Sequence, residues 1–546
     1  MSSSHAAEDR KLSVFANFPS PYTHSLILSA LTSVLPSLSL SFEPPDESNV
    51  PNLQWADYDL LCLDTIQSNP STQLISSYVY RKTLIRKHML HAAIQEYLAK
   101  QRHRGTLDNV LETAIPRGWT IDIQFADELD ELMVDELYDL RENLQENESM
   151  EEPSDRKWFV LKPGMSDKGQ GIRMFSTEDE LTAIFESFEP ETDDEEEDEE
   201  DENEENESEQ AEKNITGAQD EEAIRKMKAL ALKDFPDDES YHAPEEGASN
   251  ADDEQLETGV QTSQLRHFEY VPRPLLVDPL ETSKASSGES LSGHKFHLRA
   301  YVMMTGTYQL YLSKTMLALF SDEAFSLPSG ELDIDGSDLR AHLTNTCLQV
   351  RSFRFLKSTI LLTLGYHRVR QDANESGPPE HLVKLFWELE GQSILSSGKE
   401  TPGSVGKIDK PWLQTVFNGV GDVVAETVKA AAECGSFGLQ LMPNAFEIFG
   451  VDLLLSFDAV DAKAPPVITL LEFNASPDFT QSGNRLRDEL GEAFKGVIKL
   501  VVAPFFDIKR FADEGEETRE TSSSLQIGEE KHGWRKIGEQ ETRGTW

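Results

Sequence analysis

The stretch WFVLKPGMSDKGQGIRMF, residues 158–175, decides how the rest of the chain is read. An apolar run with one lysine meets a short loop with a second lysine and several glycines, and a second apolar run follows. The order is not that of a Walker loop, which needs GxxxxGK[ST], because Lys168 precedes Gly169 and Gly171. It is not the GxGxxG dinucleotide pattern either. One reading is a β-hairpin turn with glycine where φ must be positive. The other is a nucleotide loop, in which glycines let backbone N–H groups approach phosphates while Lys162 and Lys168 add charge from two sides. The two readings are compatible, and the choice falls to the remaining sequence.

LLEFNASP, residues 470–477, follows FGVDLLLSF. Glu472 and Asn474 are two apart, so on a strand both point to one face. A hairpin turning near Ala462 places Asp452 opposite Glu472, about 5 Å across the ladder. Two carboxylates and an amide oxygen then converge among Leu, Ile and Phe. Such like charges are costly unless a cation joins them, and three oxygen donors suit Mg²⁺, which keeps positions for phosphate and water. A third pattern is HKFHLRAYVMM, where Lys295, His297 and Arg299 alternate with Phe296 and Leu298 on one face. That face is either solvated or turned to a phosphate, where Arg299 suits a forked grip.

Composition narrows the partners. The chain has 546 residues, 38% hydrophobic, and a formal net charge of −49. Residues 186–260 hold 31 acidic against 5 basic residues, −26 of that total. The remainder is acidic too, which argues against non-specific nucleic-acid binding and docking on anionic lipid. The three cysteines, Cys62, Cys347 and Cys434, are scattered and form no CxxC. The N-terminus has no apolar signal-like run, and LILSALTSVLPSLSL is broken by serines and Pro36, so a cytoplasmic, non-membrane monomer is expected.

Along the chain, residues 1–11 are expected to be disordered and 12–115 to form a small N-terminal α/β domain. In that domain SVFANF and YDLLCLD read as strands, and TLIRKHMLHAAIQEYLAKQ as a helix with Leu84, Met89, Ala92, Ile94 and Leu98 on its apolar face. Residues 116–187 and 265–511 supply two lobes, with KPWLQTVFNGVGDVVAETVKAAAE as a long helix. Residues 188–264 form an acidic insertion that repels itself and is expected to be disordered. DPLETSKASSGESLSGH, 278–294, reads as a flexible loop and 512–546 as a disordered polar tail. The architecture inferred is α/β: two lobes closing on ATP, one bringing the phosphate loop and the other Mg²⁺.

At this point the residues resemble the ATP-grasp fold and, within it, the tubulin–tyrosine ligase-like family. The resemblance rests on YVYRKTLIRKHML, FVLKPGMSDKGQGI, EYVPRPLLV, KFHLRAYV, HLTNT, FEIFGVDLLL and LLEFNASP in that order, over roughly residues 75–505. KFHLR and TMLALFS are similar to a fungal branch in which the domain can be fused to a SurE-like phosphatase domain, and no such domain is evident here. The resemblance implies that Lys162 and Lys168 contact ATP phosphates beside Gly169, Gly171 and Ile172, and that Lys87 is a further nucleotide contact. It implies that Glu269, Tyr270 and Val271 meet adenine, and that Thr344 and Asn345 lie near ribose and phosphates. Lys295 and Arg299 are implied as the catalytic pair at the phosphates, and Asp452, Glu472 and Asn474 as the metal ligands.

The implied chemistry is ATP- and Mg²⁺-dependent amide formation. A protein carboxylate, in the namesake reaction the tubulin C-terminus, becomes an acyl phosphate and is attacked by the amine of an amino acid, there tyrosine. Two positions depart from the family's pattern. His297 stands where Asp is common, near the ribose, and Leu319 where an arginine serves the reacting phosphate. The alternatives are therefore an impaired ATP-binding module acting as a protein-interaction scaffold, and a ligase for an acceptor other than tubulin. His342 and His381 are read as packed, structural residues.

Overall fold

The computed structural model describes residues 11–46, 49–106, 108–123, 128–163, 171–187, 263–271, 273–328, 339–344, 379–395, 397, 404–435, 438–457, 465–509, 511 and 525–539. All of these lie in one unit, Met1–Glu189 with Thr262–Trp546; the second unit, Pro190–Gln261, lies outside the described residues, and with it nearly all of the acidic insertion.

The chain begins with a parallel four-stranded sheet: β1 (Leu12–Asn17), β2 (Leu38–Ser41), β3 (Leu53–Ala56) and β4 (Leu74–Ile75), in the order β2-β1-β3-β4. Helix Pro21–Val34 links the first two strands; Ser20 caps it by accepting from the Thr23 N–H, and Pro21 sits where a missing donor costs nothing. YDLLCLD is not a strand: it holds a 3₁₀ turn, Tyr58–Leu60, and the strand is LQWA just before it.

The expected single helix divides at Arg86 into Lys82–Ile85 and Lys87–His103. Its buried stripe is Leu90, Ala93, Ile94, Tyr97 and Leu98, whereas Ala92 is exposed. That stripe joins the core beneath the largest sheet, alongside the long helix Lys410–Cys434, and not the core of the parallel sheet. A buried ion pair ties the preceding segment to the same sheet. Arg81 lies 3.0 Å from Glu447 and stacks 3.8 Å over the Tyr58 ring, while Ser77 and the Tyr78 N–H donate to Glu447.

A second, antiparallel sheet carries the opening motif: β5 (Gly118–Ile123), β6 (Phe159–Pro163), β7 (Arg173–Phe175) and β8 (Ser263–Glu269), ordered β5-β8-β6-β7. β6 and β7 pair as the hairpin expected, Phe159 opposite Phe175, and Gly171 ends the loop with φ +70°, in the region that favours glycine. Thr177 and Glu180 form a capping box that starts helix Glu178–Glu186.

The third sheet has ten strands: β9 (Leu276–Val277), β10 (His294–Thr305), β11 (Gln309–Phe320), β12 (Val383–Leu385), β13 (Ser393–Leu395), β14 (Ser404–Lys407), β15 (Phe446–Ser456), β16 (Val467–Asn474), β17 (Glu530–Lys531) and β18 (Trp534–Glu539). β10 runs through its middle between β11 and β15. Its even-numbered side chains, Phe296 to Met304, enter the core shared with helix Lys410–Cys434. On its other face Tyr301 and Met303 pack toward the parallel sheet and helix Arg487–Val497, while Lys295, His297 and Arg299 line a cavity.

Two further stretches differ from expectation. Within the expected flexible loop, Glu281–Ser287 is a helix. It is fastened by the fully buried Asp278, which accepts from Lys284 Nζ at 2.8 Å and the Ser292 N–H at 2.8 Å. Within the expected tail, β17 and β18 form a hairpin that pairs with β11; Trp534 is buried and donates its indole N–H to Ala493 O at 2.9 Å. Polar composition hid this hairpin, because its apolar contact is carried by Trp534, a partly buried Ile537 and the stem of a buried Lys536. Among the described residues no helix is long and apolar enough to cross a membrane.

Candidate functional site

A cavity of about 520 Å³ is lined from both the second and the third sheet. The hairpin β15–β16 builds one end. It pairs Asp452 with Glu472 and Gly450 with Asn474, as the spacing predicts, and the register then slips by one residue, leaving Leu471 as a bulge. Bulges re-aim side chains beside functional sites. Arg299, opposite Asp452 on the neighbouring strand, forks onto that carboxylate through Nε and through Nη2 at 2.9 Å. Gly450 makes room for this reach: a Cβ there would lie 3.1 Å from Arg299 Cδ and 2.8 Å from Pro477 Cβ. Lys87 arrives from the first turn of its helix and sits 3.2 Å from Glu472. Asn474 Nδ2 stands 3.3 Å from Asp452 and 3.4 Å from Glu472, so it donates to both carboxylates.

The electrostatics follow from burial and these pairings. Burial alone would raise the Asp452 carboxyl, but Arg299 and then His297 outweigh it and hold it below its ordinary value. Burial would lower the Arg299 guanidinium, and Asp452 reverses that. His297 is lowered by burial against the pull of Asp452. Its Nδ1 is 2.5 Å from Thr344 Oγ1, and its Nε2 is 3.7 Å from Asp452 Oδ1.

The other end is apolar. Val160, Ile172, Tyr270 and Leu343 line it, next to a small cluster with Trp158, Met174 and Leu339. The connection between the sheets passes here: the Tyr270 N–H donates to Trp158 O at 2.8 Å, just before β6 of the second sheet, and the Leu275 N–H to Leu455 O at 2.8 Å in the third. Tyr270 Oη lies 3.1 Å from His342 Nδ1 and accepts from Lys295 Nζ at 3.3 Å, and the ammonium also stands 4.4 Å from the Tyr270 ring centre. Burial, with Lys162 nearby, pushes Lys295 down to about 7. Burial pushes His342 down to about 3.

Of the residues singled out in the sequence, Lys87, Lys162, Ile172, Glu269, Tyr270, Val271, Lys295, Arg299, Thr344, Asp452, Glu472 and Asn474 all line this cavity. Gly171 adjoins it at the turn before Ile172 without lining it. Lys168, Gly169 and Asn345 lie outside the described residues. His342 is packed, as read, against the Tyr270 and Phe325 rings, and it also lines the wall and hydrogen-bonds Tyr270. Asp478 and Gln481 also line the cavity, and only their continuity with LLEFNASP marks them. Leu319 lies in the wall too, opposite His297.

The donor set suits a hard cation: two carboxylates meet at one ladder position, already balanced by cationic side chains. A half-turn of the Asn474 amide would add its oxygen. Among the described residues no three His, Cys, Asp or Glu side chains gather as a metal cluster by themselves.

Comparison with known proteins agrees with this geometry. The tubulin-tyrosine ligase family profile matches residues 65–359 and 409–510, more than half of the chain. A fission yeast (Schizosaccharomyces pombe) protein named probable tubulin–tyrosine ligase C12B10.04 is 29% identical over 501 residues, 91% of this chain and 93% of that protein. A Saccharomyces cerevisiae protein named probable tubulin–tyrosine ligase PBY1 is 31% identical over 508 residues, 90% of this chain but 52% of that longer protein. The crystal structure of the C-terminal domain of K. lactis Pby1, described as an ATP-grasp enzyme interacting with the mRNA decapping enzyme Dcp2, superposes with TM-score 0.54. That likeness covers 97% of this chain and 99% of the other, at 22% sequence identity. A cavity walled by a lysine-bearing hairpin and an Asp–Glu–Asn hairpin, a profile match over most of the chain and an ATP-grasp neighbour lead to one conclusion: the chain belongs to the tubulin–tyrosine ligase family and has the ATP-grasp fold.

Proposed function

We propose that the chain is an ATP- and Mg²⁺-dependent carboxylate–amine ligase that adds an amino acid, tyrosine in the namesake reaction, to a protein C-terminal carboxylate. The observation that carries this is the convergence of Lys87, Lys162, Lys295 and Arg299 with Asp452, Glu472 and Asn474 on one cavity. In this reading the apolar end, with Glu269, Tyr270 and Val271, takes adenine, and Thr344, with Asn345, serves the ribose. Lys162 and Lys295 hold phosphates, with Lys168 and the glycines 169 and 171 of the loop. Arg299 grips the phosphoryl group in transfer. Asp452, Glu472 and Asn474 hold Mg²⁺, which when bound neutralises phosphate charge and aligns the transferred group. No side-chain nucleophile is required: the acceptor carboxylate takes the γ-phosphoryl group and releases ADP, and the amine then displaces phosphate. Positioning and charge neutralisation do the catalysis.

A second reading is favoured by Leu319. A fully buried leucine in the cavity wall offers no charge to a reacting phosphate. An ATP-binding scaffold for a protein partner fits that residue, and the solved neighbour is described as interacting with a decapping enzyme. A cytoplasmic location suits both readings.

The test is ATP binding by calorimetry with and without Mg²⁺, on wild type and Lys162→Ala, followed by ADP release with detyrosinated tubulin and tyrosine. Mg²⁺-dependent binding lost in the variant, with acceptor-dependent ADP, is the expected result. Binding without acceptor-dependent ADP favours the scaffold or a ligase for an acceptor other than tubulin. No binding overturns both.

A further inference from the structure

His297 is the one member of the basic face on β10 that the proposed chemistry leaves without a task. It is nine-tenths buried and lines the cavity. Its Nδ1 is engaged by Thr344 Oγ1, whereas its Nε2 makes no hydrogen bond among the described residues. Burying an imidazole nitrogen unpaired is costly, so an occupant of the cavity is the natural partner.

The lone pairs of Asp452 say what that occupant is. A carboxylate offers about four acceptor positions, two on each oxygen. Oδ2 receives Arg299 Nη2 and, until the Asn474 amide turns its oxygen to a cation, Asn474 Nδ2. Oδ1 receives Arg299 Nε and has one position left. Oδ1 is also the oxygen 3.7 Å from His297 Nε2, too far for a hydrogen bond. Donor–cation bonds of about 2.1 Å put neighbouring donors of an octahedral ion about 3.0 Å apart and opposite donors about 4.2 Å, so a closure of under about 1 Å brings both atoms onto one cation without displacing Arg299.

We propose that His297 Nε2 is a nitrogen ligand to the divalent cation at the Asp452 end, shared with Asp452 Oδ1 and the nucleotide phosphates. The inference rests on the nucleotide-binding reading above. Its consequence is metal preference. An imidazole donor suits Mn²⁺, Co²⁺ or Zn²⁺ better than Mg²⁺, whose preferred ligands are oxygens. The cation site of this chain therefore selects Mn²⁺ over Mg²⁺ more strongly than an all-oxygen site would.

The test uses the full chain with Mn²⁺ and the β,γ-methylene analogue of ATP, whose phosphate bridge carries no nitrogen. Electron paramagnetic resonance first reports how much Mn²⁺ is bound. Spin-echo modulation then reports directly coordinated nitrogen. Chain labelled with ¹⁵N-histidine separates imidazole from adenine nitrogen. Nucleotide-dependent Mn²⁺ binding with histidine modulation, lost in His297→Phe, is the expected result. His297→Asp keeps a donor at the position, guards against misfolding of the first variant, and is expected to lower the ratio of Mn²⁺ to Mg²⁺ affinity. Bound Mn²⁺ without histidine modulation overturns the proposal and leaves the cation site standing. No nucleotide-dependent Mn²⁺ binding overturns it together with the reading on which it rests.

Discussion

The two ends of the cavity hold their charged groups by opposite means. At the Asp452 end, both carboxylates of the paired strands meet a cation: Arg299 forks onto Asp452 and Lys87 reaches Glu472. At the Tyr270 end, Lys295 has no carboxylate among its hydrogen-bond or ring contacts; it lies against a phenol hydroxyl and ring, and burial pushes it down to about 7. The first end is balanced before any ligand arrives. The second stores a lysine ready to take a proton when an anion comes. The contrast teaches where charge is structural and where it is conditional.

The comparison breaks most severely at Asp452. Asp452→Asn should leave the buried Arg299 uncompensated and destabilise the fold by about 3–5 kcal/mol, read as a lowered thermal unfolding midpoint. A midpoint unchanged from wild type would mean that the fork contributes nothing structural. Glu472→Gln separates fold from function at the same end. Its side chain is partly exposed, and loss of the Lys87 pair should cost no more than about 1 kcal/mol. Mg²⁺-dependent ATP affinity should nevertheless fall by about a hundredfold, and a variant with wild-type affinity in Mg²⁺ would remove Glu472 from the cation site.

At the other end, Tyr270→Phe takes away the hydroxyl between Lys295 and His342. The cost to stability should be about 1–2 kcal/mol, from the partners left unsatisfied, with little change in cation dependence. The smallest effect is the most diagnostic. A phosphate favours the charged form of Lys295, so ATP affinity should be level below pH 7 and fall about tenfold per unit above it, while the bound lysine keeps its proton. Lys295→Arg stays charged throughout and should flatten that slope. Parallel profiles for the two proteins between pH 6 and 8 would show that Lys295 titrates elsewhere.

The two ends also differ in how much of them the sequence reveals. Hairpin arithmetic found the Asp452–Glu472 pair because both partners lie on strands that follow one another in the sequence and pair antiparallel. Alternation found Lys295, His297 and Arg299 for the same local reason. The bulge at Leu471 was invisible, since one extra residue in a hairpin leaves no mark on composition. Lys87 came through resemblance alone; nothing in its own helix says that it crosses to β16. The bond from Tyr270 to His342 spans 72 residues, and no period connects them. Helix Glu281–Ser287 escaped notice because its Ser-rich sequence is a poor helix former, held by Asp278 instead of by propensity.

The hairpin β17–β18 has a consequence for how the molecule is made. β11 is laid down more than two hundred residues before the strand that covers its side, and the family match ends at residue 510, ahead of both covering strands. During synthesis the Gln309–Ser313 stretch of β11 therefore waits unpaired on that side until β18 has left the ribosome. A nascent chain stalled anywhere in between presents that edge to its neighbours, so the hairpin acts as a seal on the sheet.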